Sequence, residues 1–330
     1  MKHRKFAGMD TLVSEIGLGT WQLGGSEWGA IPESDALATL QSAADSGVTF
    51  IDTADIYGQG RSESLIGNFL RLQADPSRFF VATKLGRSSD PGWPENFKPS
   101  SIRLHTERSL KRLGIEAISL TQTHCIPPEI MRQDSFWDSL RQLKQEGKLL
   151  AFGASVESVD EALDCLEIDG LSSLQIIFNV FRQNPIAELF EKAEMKKVSI
   201  IVRLPLASGL LSGKMTSGTH FAAEDHRSFN RDGQAFDVGE TFAGLPFERG
   251  LELVEQLREF VPAGWSMADW ALRWCLDFPE ITTVIPGASC REQAKSNSRA
   301  SDLTPLSKEA HEALANFYKN AVAAHIRGKV

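Results

Sequence analysis

Nothing in this chain reads as a cross-linked or metal-stapled framework. Its 4 cysteines, Cys125, Cys165, Cys275 and Cys290, lie far apart with no CxxC pair, which argues against zinc and against disulfides. Reduced thiols and no metal are expected. Long hydrophobic runs are missing too: no segment approaches the roughly eighteen apolar residues of a membrane span, so no membrane partner is expected. Positive charge is also short. Lys and Arg total 35 against 43 Asp and Glu, for a net charge of −8, which leaves no basic field for nucleic acid. An anionic ligand would need a local pocket. The opening "MKHRKFAGMDTL" has basic residues but no apolar run behind them, unlike a secretory signal, and points to a cytoplasmic protein.

What is present is a globular composition, 42% hydrophobic and 24% charged over 330 residues, enough to bury a large core. Short apolar runs alternate with amphipathic helical windows, and eight such pairs can be counted. The strand candidates are Ile16 to Gly19, Val48 to Asp52, Phe79 to Lys84, Ile118 to His124, Leu150 to Ser155, Leu174 to Phe178, Ser199 to Leu204 and Thr282 to Pro286. Strands joined through helices run parallel, because that crossover needs a dozen or more residues. Eight units in this length predict a closed (β/α)8 barrel, an α/β fold, as one domain over residues 1–330. Residues 2–15 are expected to form a β-hairpin plugging the barrel floor. The connection after strand seven, residues 206–247, is too long for a tight turn and predicts a functional lid.

Active sites of such barrels sit at the carboxyl ends of the strands, so polar residues ending successive strands are candidates. Asp52 ends strand two, Lys84 of "VATKLG" strand three and His124 of "SLTQTHC" strand four; Tyr57 lies on the loop just past Asp52. Taken singly, each has a bland reading: an N-cap for Asp52, a rim contact for Tyr57, a solvated lysine, a hydrogen-bonded histidine. An Asp52–Lys84 pair would be self-consistent when buried, and leaves Tyr57 and His124 to be explained. Together the four suit proton donation from a phenol to a carbonyl oxygen. A lysine cation ~4 Å away at an effective dielectric of ~20 favours phenolate by roughly 4 kcal/mol, part of which Asp52 would offset. Neutral His124 would orient the carbonyl.

The stretches "GLGTWQLGG", "FIDTADIYG", "ATKLG", "THC", "GAS", "LPLASGLLSGK" and "IPGASCREQAKSN" together resemble the aldo-keto reductase superfamily over nearly the whole chain. The resemblance implies a barrel that binds NADP(H), with NADPH preferred and NAD possible, and reduces a small-molecule aldehyde or ketone. It implies an Asp, Tyr, Lys, His tetrad at Asp52, Tyr57, Lys84 and His124, with Trp21, Tyr57 and His124 facing substrate. It also implies cofactor contacts at Gly19, Thr20, Trp21 and Asp52, and at Ser155 and Gln175 near the nicotinamide. Arg203 would also contact the cofactor, Pro205, Leu206, Ser208 and Lys214 would follow along the pyrophosphate, and Gly287, Ser289, Arg291, Gln293 and Asn297 at the adenosine end. A helix N-terminus after Ser289 suits phosphate in any case.

Several residues depart from the pattern. Arg203 stands where many members carry an aromatic that stacks on nicotinamide, so its guanidinium either stacks or forms a salt bridge elsewhere. Val156 replaces a carboxamide-binding Asn, Gln293 an arginine used on the 2′-phosphate, and Cys125 the commoner aromatic after the histidine. Substrate choice would lie with Trp21, Trp28, Trp93, the 206–247 lid and the C-terminal segment. A monomer is expected. Two other readings compete: a Schiff-base lyase using Lys84, and a non-catalytic nucleotide-sensing accessory subunit.

Overall fold

The computed structural model describes every residue except Ser26. Two strands, β1 (His3–Phe6) and β2 (Thr11–Ser14), pair antiparallel as the N-terminal hairpin. Eight parallel strands follow: β3 (Leu18–Gly19), β4 (Phe50–Asp52), β5 (Phe80–Leu85), β6 (Ile118–His124), β7 (Leu149–Ser155), β8 (Ser173–Ile177), β9 (Ser199–Arg203) and β10 (Ile281–Val284). Each neighbours the next in chain order. Parallel bridges Ile16 to Val284 and Gly19 to Gly287 join the last strand to the first, with the Gly17 amide donating to the Val284 carbonyl at 2.8 Å. The sheet therefore closes into the expected (β/α)8 barrel.

The strands are apolar on both faces because both are covered. Ile51, Val81, Phe152, Ile200 and Val202 pack outward among the helices, while Phe50, Phe80, Ala82, Leu120, Ala151 and Ile201 fill the interior. Phe6 and Val13 of the hairpin join that interior cluster, with the Phe6 and Phe80 rings 4.7 Å apart, so the hairpin plugs the floor as expected.

Side chains on a strand alternate faces every second residue, and this period builds the mouth. Two residues beyond inward Phe50 comes Asp52; beyond Ala82, Lys84; beyond Leu120, Gln122 and then His124; beyond Ile201, Arg203. Register sets their levels: Gly19 pairs with Asp52, Lys84 with Gln122, His124 with Ser155 and Ser155 with Gln175.

The segment 206–247 walls one side of the mouth through Ser208, Lys214, Arg227, Phe236 and Glu240. It docks on the loop after β3: the His226 ring lies 4.7 Å from Trp21 and 4.4 Å from Trp28, and its amide donates to the Glu27 carbonyl. Leu204, Ala207, Ser208, Phe242 and Ala243 hold positive φ at its two ends, a strained geometry of the kind that clusters at functional sites.

Candidate active site

The loop carrying Tyr57 is pressed against the loop after β3. A Cβ on Gly58, whose φ is 56°, would fall 1.8 Å from the Gly24 carbonyl oxygen, so only glycine fits. This contact seats Tyr57 over the barrel axis, its ring 5.9 Å from Trp21 and edge-on to His124 at 5.6 Å. Below it, buried Lys84 donates from Nζ to Asp52 Oδ1 at 2.5 Å, to the Thr53 carbonyl at 2.9 Å and to the Tyr57 hydroxyl at 3.5 Å. Asp52 accepts a further bond on Oδ2 from Gln175 Nε2 at 2.8 Å. Asp52, Tyr57, Lys84 and His124 thus meet at one rim, although 32 residues separate Lys84 from Asp52.

Electrostatics at this rim differ in one respect from the sequence expectation. Burial raises the Tyr57 pKa, and the lowering effect of Lys84, itself opposed by Asp52, does not overcome it. The phenol is held protonated rather than pulled toward phenolate. Burial works against the Lys84 cation, but Asp52 and then Tyr57 outweigh it and raise its pKa. His124 is pushed well below its usual range, by burial first and then by Arg87, Lys84 and Arg203. Its Nδ1 is buried with no partner among the described residues, so the ring is neutral and its polar edge unspent.

A cleft of about 1650 Å³ opens over this rim and runs along the seam between β3 and β10. Every residue expected at the cofactor except Arg291 lines it, but several have their polar groups committed within the protein. Thr20 Oγ1 donates to the Asp52 carbonyl at 2.8 Å, and Ser208 Oγ bridges the Glu240 carbonyl and the Phe242 amide. Gln175 gives its nitrogen to Asp52, while Ser155 Oγ lies 3.6 Å from Cys125 Sγ. At the far end, Gln293 Oε1 accepts from the Ser289 amide at 2.8 Å and hydroxyl at 3.0 Å, and Asn297 donates to the Gly287 carbonyl. Arg291 is not on the cleft wall; Lys295 and Arg299 of the same helix are. Lys295 and Arg299 lie four apart on one face of that helix, whereas Arg291, on the same row, is the helix's first residue and stays outside the cleft. Gly19, Trp21, Pro205, Leu206 and Lys214 complete the wall.

Arg203 takes the salt-bridge alternative. It donates to the Val156 carbonyl at 3.0 Å and pairs with Glu240 at 3.6 Å, and Glu240 also accepts from Arg87 at 2.9 Å. Sequence reasoning missed Arg87, Glu157 and Glu240, which also face the cleft; no strand-end or motif signal marked them. It missed Gln122 as well, buried two residues before His124 on β6 with neither amide atom partnered among the described residues.

Asp55, on the same loop as Tyr57, has no hydrogen-bond partner of good geometry on either oxygen among the described residues. Burial and then nearby Glu63 raise its pKa to about 7, with Arg112 offsetting only part. Between the carboxylate's ordinary pKa of 3.8 and about 7, the folded state therefore holds a proton that the unfolded chain releases. Stability falls as pH rises through that window and levels off above it. Asp55→Asn should flatten this slope, removing about 2–3 kcal/mol of the stability difference between pH 5 and 8 in urea unfolding.

Comparison with known proteins agrees with this geometry. The profile described as "Aldo/keto reductase family" matches residues 15–319. The aldo-keto reductase YhdN of Bacillus subtilis is 29% identical over 98% of this chain and 95% of its own. The NADH-specific methylglyoxal reductase of Escherichia coli is 27% identical over 91% of this chain and 93% of its own. Among solved structures, the glycerol dehydrogenase AKR11B4 of Gluconobacter oxydans superposes with a TM-score of 0.77 at 28% identity, covering 99% of this chain and 97% of that one. The chain belongs to the aldo/keto reductase family, as an NAD(P)H-dependent oxidoreductase.

Proposed function

We propose that the protein reduces an aldehyde or ketone with NADPH, and that Tyr57 donates the proton. The observation that carries this reading is the junction of a protonated phenol, a lysine cation bound to Asp52, and a neutral imidazole at the edge of one long cleft. The residues present suit a dinucleotide. His124 Nδ1 and Arg203 Nε are buried without partners among the described residues, backbone lines the cleft at Gly19 and Gly287, and Lys214, Lys295 and Arg299 supply cations for phosphates along it.

When bound, a reduced nicotinamide supplies hydride. The chain's own part is to hold the carbonyl between the Tyr57 hydroxyl and His124, hydrogen-bond the oxygen, and deliver a proton as negative charge develops on it. Lys84 stabilises the phenolate left behind, and Asp52 keeps Lys84 charged and in place. Water is excluded by Trp21, Trp28 and the 206–247 segment, which we read as a lid. A Schiff-base role for Lys84 gains no support, because a protonated amine bonded to three oxygens is not a nucleophile.

Lys214, Lys295 and Arg299 favour the extra phosphate of NADPH, in contrast to the NADH-specific relative. Titration followed by tryptophan fluorescence should show quenching by both nucleotides, with NADPH binding at least about tenfold tighter, or 1.4 kcal/mol. Equal affinities would overturn the NADPH assignment. No quenching by either would overturn the whole reading.

A further inference from the structure

Beside His124 lies a cluster of charges that the proposed proton transfer does not use. Arg87, on the loop after β5, donates from Nε to the His124 carbonyl at 2.9 Å and from Nη2 to Glu240 Oε1 at 2.9 Å and Glu157 Oε1 at 3.3 Å. Arg203, at the end of β9, faces the other Glu240 oxygen at 3.6 Å. Lys329, near the C-terminus, pairs with Glu157 at 2.9 Å and Glu161 at 2.8 Å. Arg87, Arg203, Glu157, Glu240 and Lys329 all line the cleft.

Two guanidiniums at the mouth of a carbonyl site would, alone, attract carboxylates, since arginine pairs with them in a fixed fork geometry. Here that attraction is cancelled from the lid. Glu240 places one oxygen on each arginine, and its backbone carbonyl is tied down by Ser208. Arg87, Arg203 and Lys329 are matched one for one by Glu240, Glu157 and Glu161. Glu157 and Glu240 with Cys125 bring donor atoms within 4.8 Å of one another, but the two guanidiniums already bound there oppose a metal cation.

We propose that Glu240 is a specificity-determining residue: its carboxylate occupies the position between Arg87 and Arg203 that a substrate carboxylate would take, and so restricts the enzyme to uncharged carbonyl compounds. This inference rests on the reading of the protein as a carbonyl reductase. Replacing Glu240 with alanine removes both the charge and the side chain that fills this position, and converts the mouth into a carboxylate site. An aldehyde acid would then be held through its carboxylate, while an uncharged aldehyde of the same shape gains nothing.

The test compares 4-carboxybenzaldehyde with 4-nitrobenzaldehyde, similar in shape and different in charge. In Glu240→Ala, the ratio of kcat/KM for the carboxylate to that for the nitro compound should rise by roughly ten- to a hundredfold over wild type, the scale of one charge at a few ångströms. Arg87→Gln, which leaves Glu240 in excess, should move the ratio the other way. Binding is measured in parallel by calorimetry with benzoate and benzamide, which requires no turnover. Benzoate affinity should rise at least about tenfold relative to benzamide in Glu240→Ala. An unchanged benzoate affinity relative to benzamide, or a ratio that moves in neither variant, would overturn the proposal. Absence of turnover with both aldehydes in wild type would instead overturn the carbonyl-reductase reading and leave the benzoate result to decide the role of Glu240.

Discussion

Tyr57→Phe should lower turnover of any accepted aldehyde by ~10²–10⁴-fold, the range over which a positioned general acid acts, while the fold and the NADPH-dependent quenching of tryptophan fluorescence persist. The variant is clean because of what the hydroxyl does in the resting protein. It is the weakest of the three oxygens around Lys84, at 3.5 Å, so its loss leaves the ammonium on Asp52 and the Thr53 carbonyl. The ring itself, stacked on Trp21 and edge-on to His124, is retained by phenylalanine. Because burial raises the phenol above its ordinary pKa, the wild-type rate of reduction should not fall at any pH below the usual tyrosine range through loss of this proton. Full activity in Tyr57→Phe would remove the proposed donor.

Lys84→Met should do more harm to stability than any other change at the rim. Asp52 is almost wholly buried, and among the described residues its side chain pairs with this one cation and would keep only the Gln175 amide. Removing one partner of a buried ion pair costs about 3–5 kcal/mol because the other charge is stranded, and urea unfolding should show a loss of that order. Adding Asp52→Asn to the same chain should restore most of the stability, since the stranded charge is gone, yet turnover should stay abolished in both. Recovery of activity in the double variant would show that the ion pair serves only the fold.

The strand ends were readable in the sequence because one physical pattern writes them: an apolar run buried on both faces that stops at a polar residue, as in "FVATK" or "SLTQTH". The hairpin and the barrel count followed from the same periodicity, with strand boundaries shifting by no more than two residues. Less of the cleft was readable. Arg291, Lys295 and Arg299 recur every four residues along one helix, and the motif could not say that this row meets the cleft only at its last two members. The hydroxyls of Thr20 and Ser208 look free in a sequence but are bonded within the fold. Glu240 and Arg87, 153 residues apart, carry no periodic or spacing signal at all, because their pairing exists only once the lid is placed. The protonation of Tyr57 was misjudged for a related reason: distance to a cation can be guessed from motif order, but the depth of burial that outweighs it cannot.

The barrel seam has a consequence for how the molecule comes into being. Gly19 and Gly287, which meet as neighbours in the sheet, form the two lips of the cleft, and they emerge from the ribosome at nearly opposite times. A nascent chain that already holds Asp52, Tyr57, Lys84 and His124 still lacks the β10 strand (Ile281–Val284) that closes the sheet. Contacts of such long sequence separation form late. On the placement proposed above, the nucleotide site is completed only when the last strand joins the first.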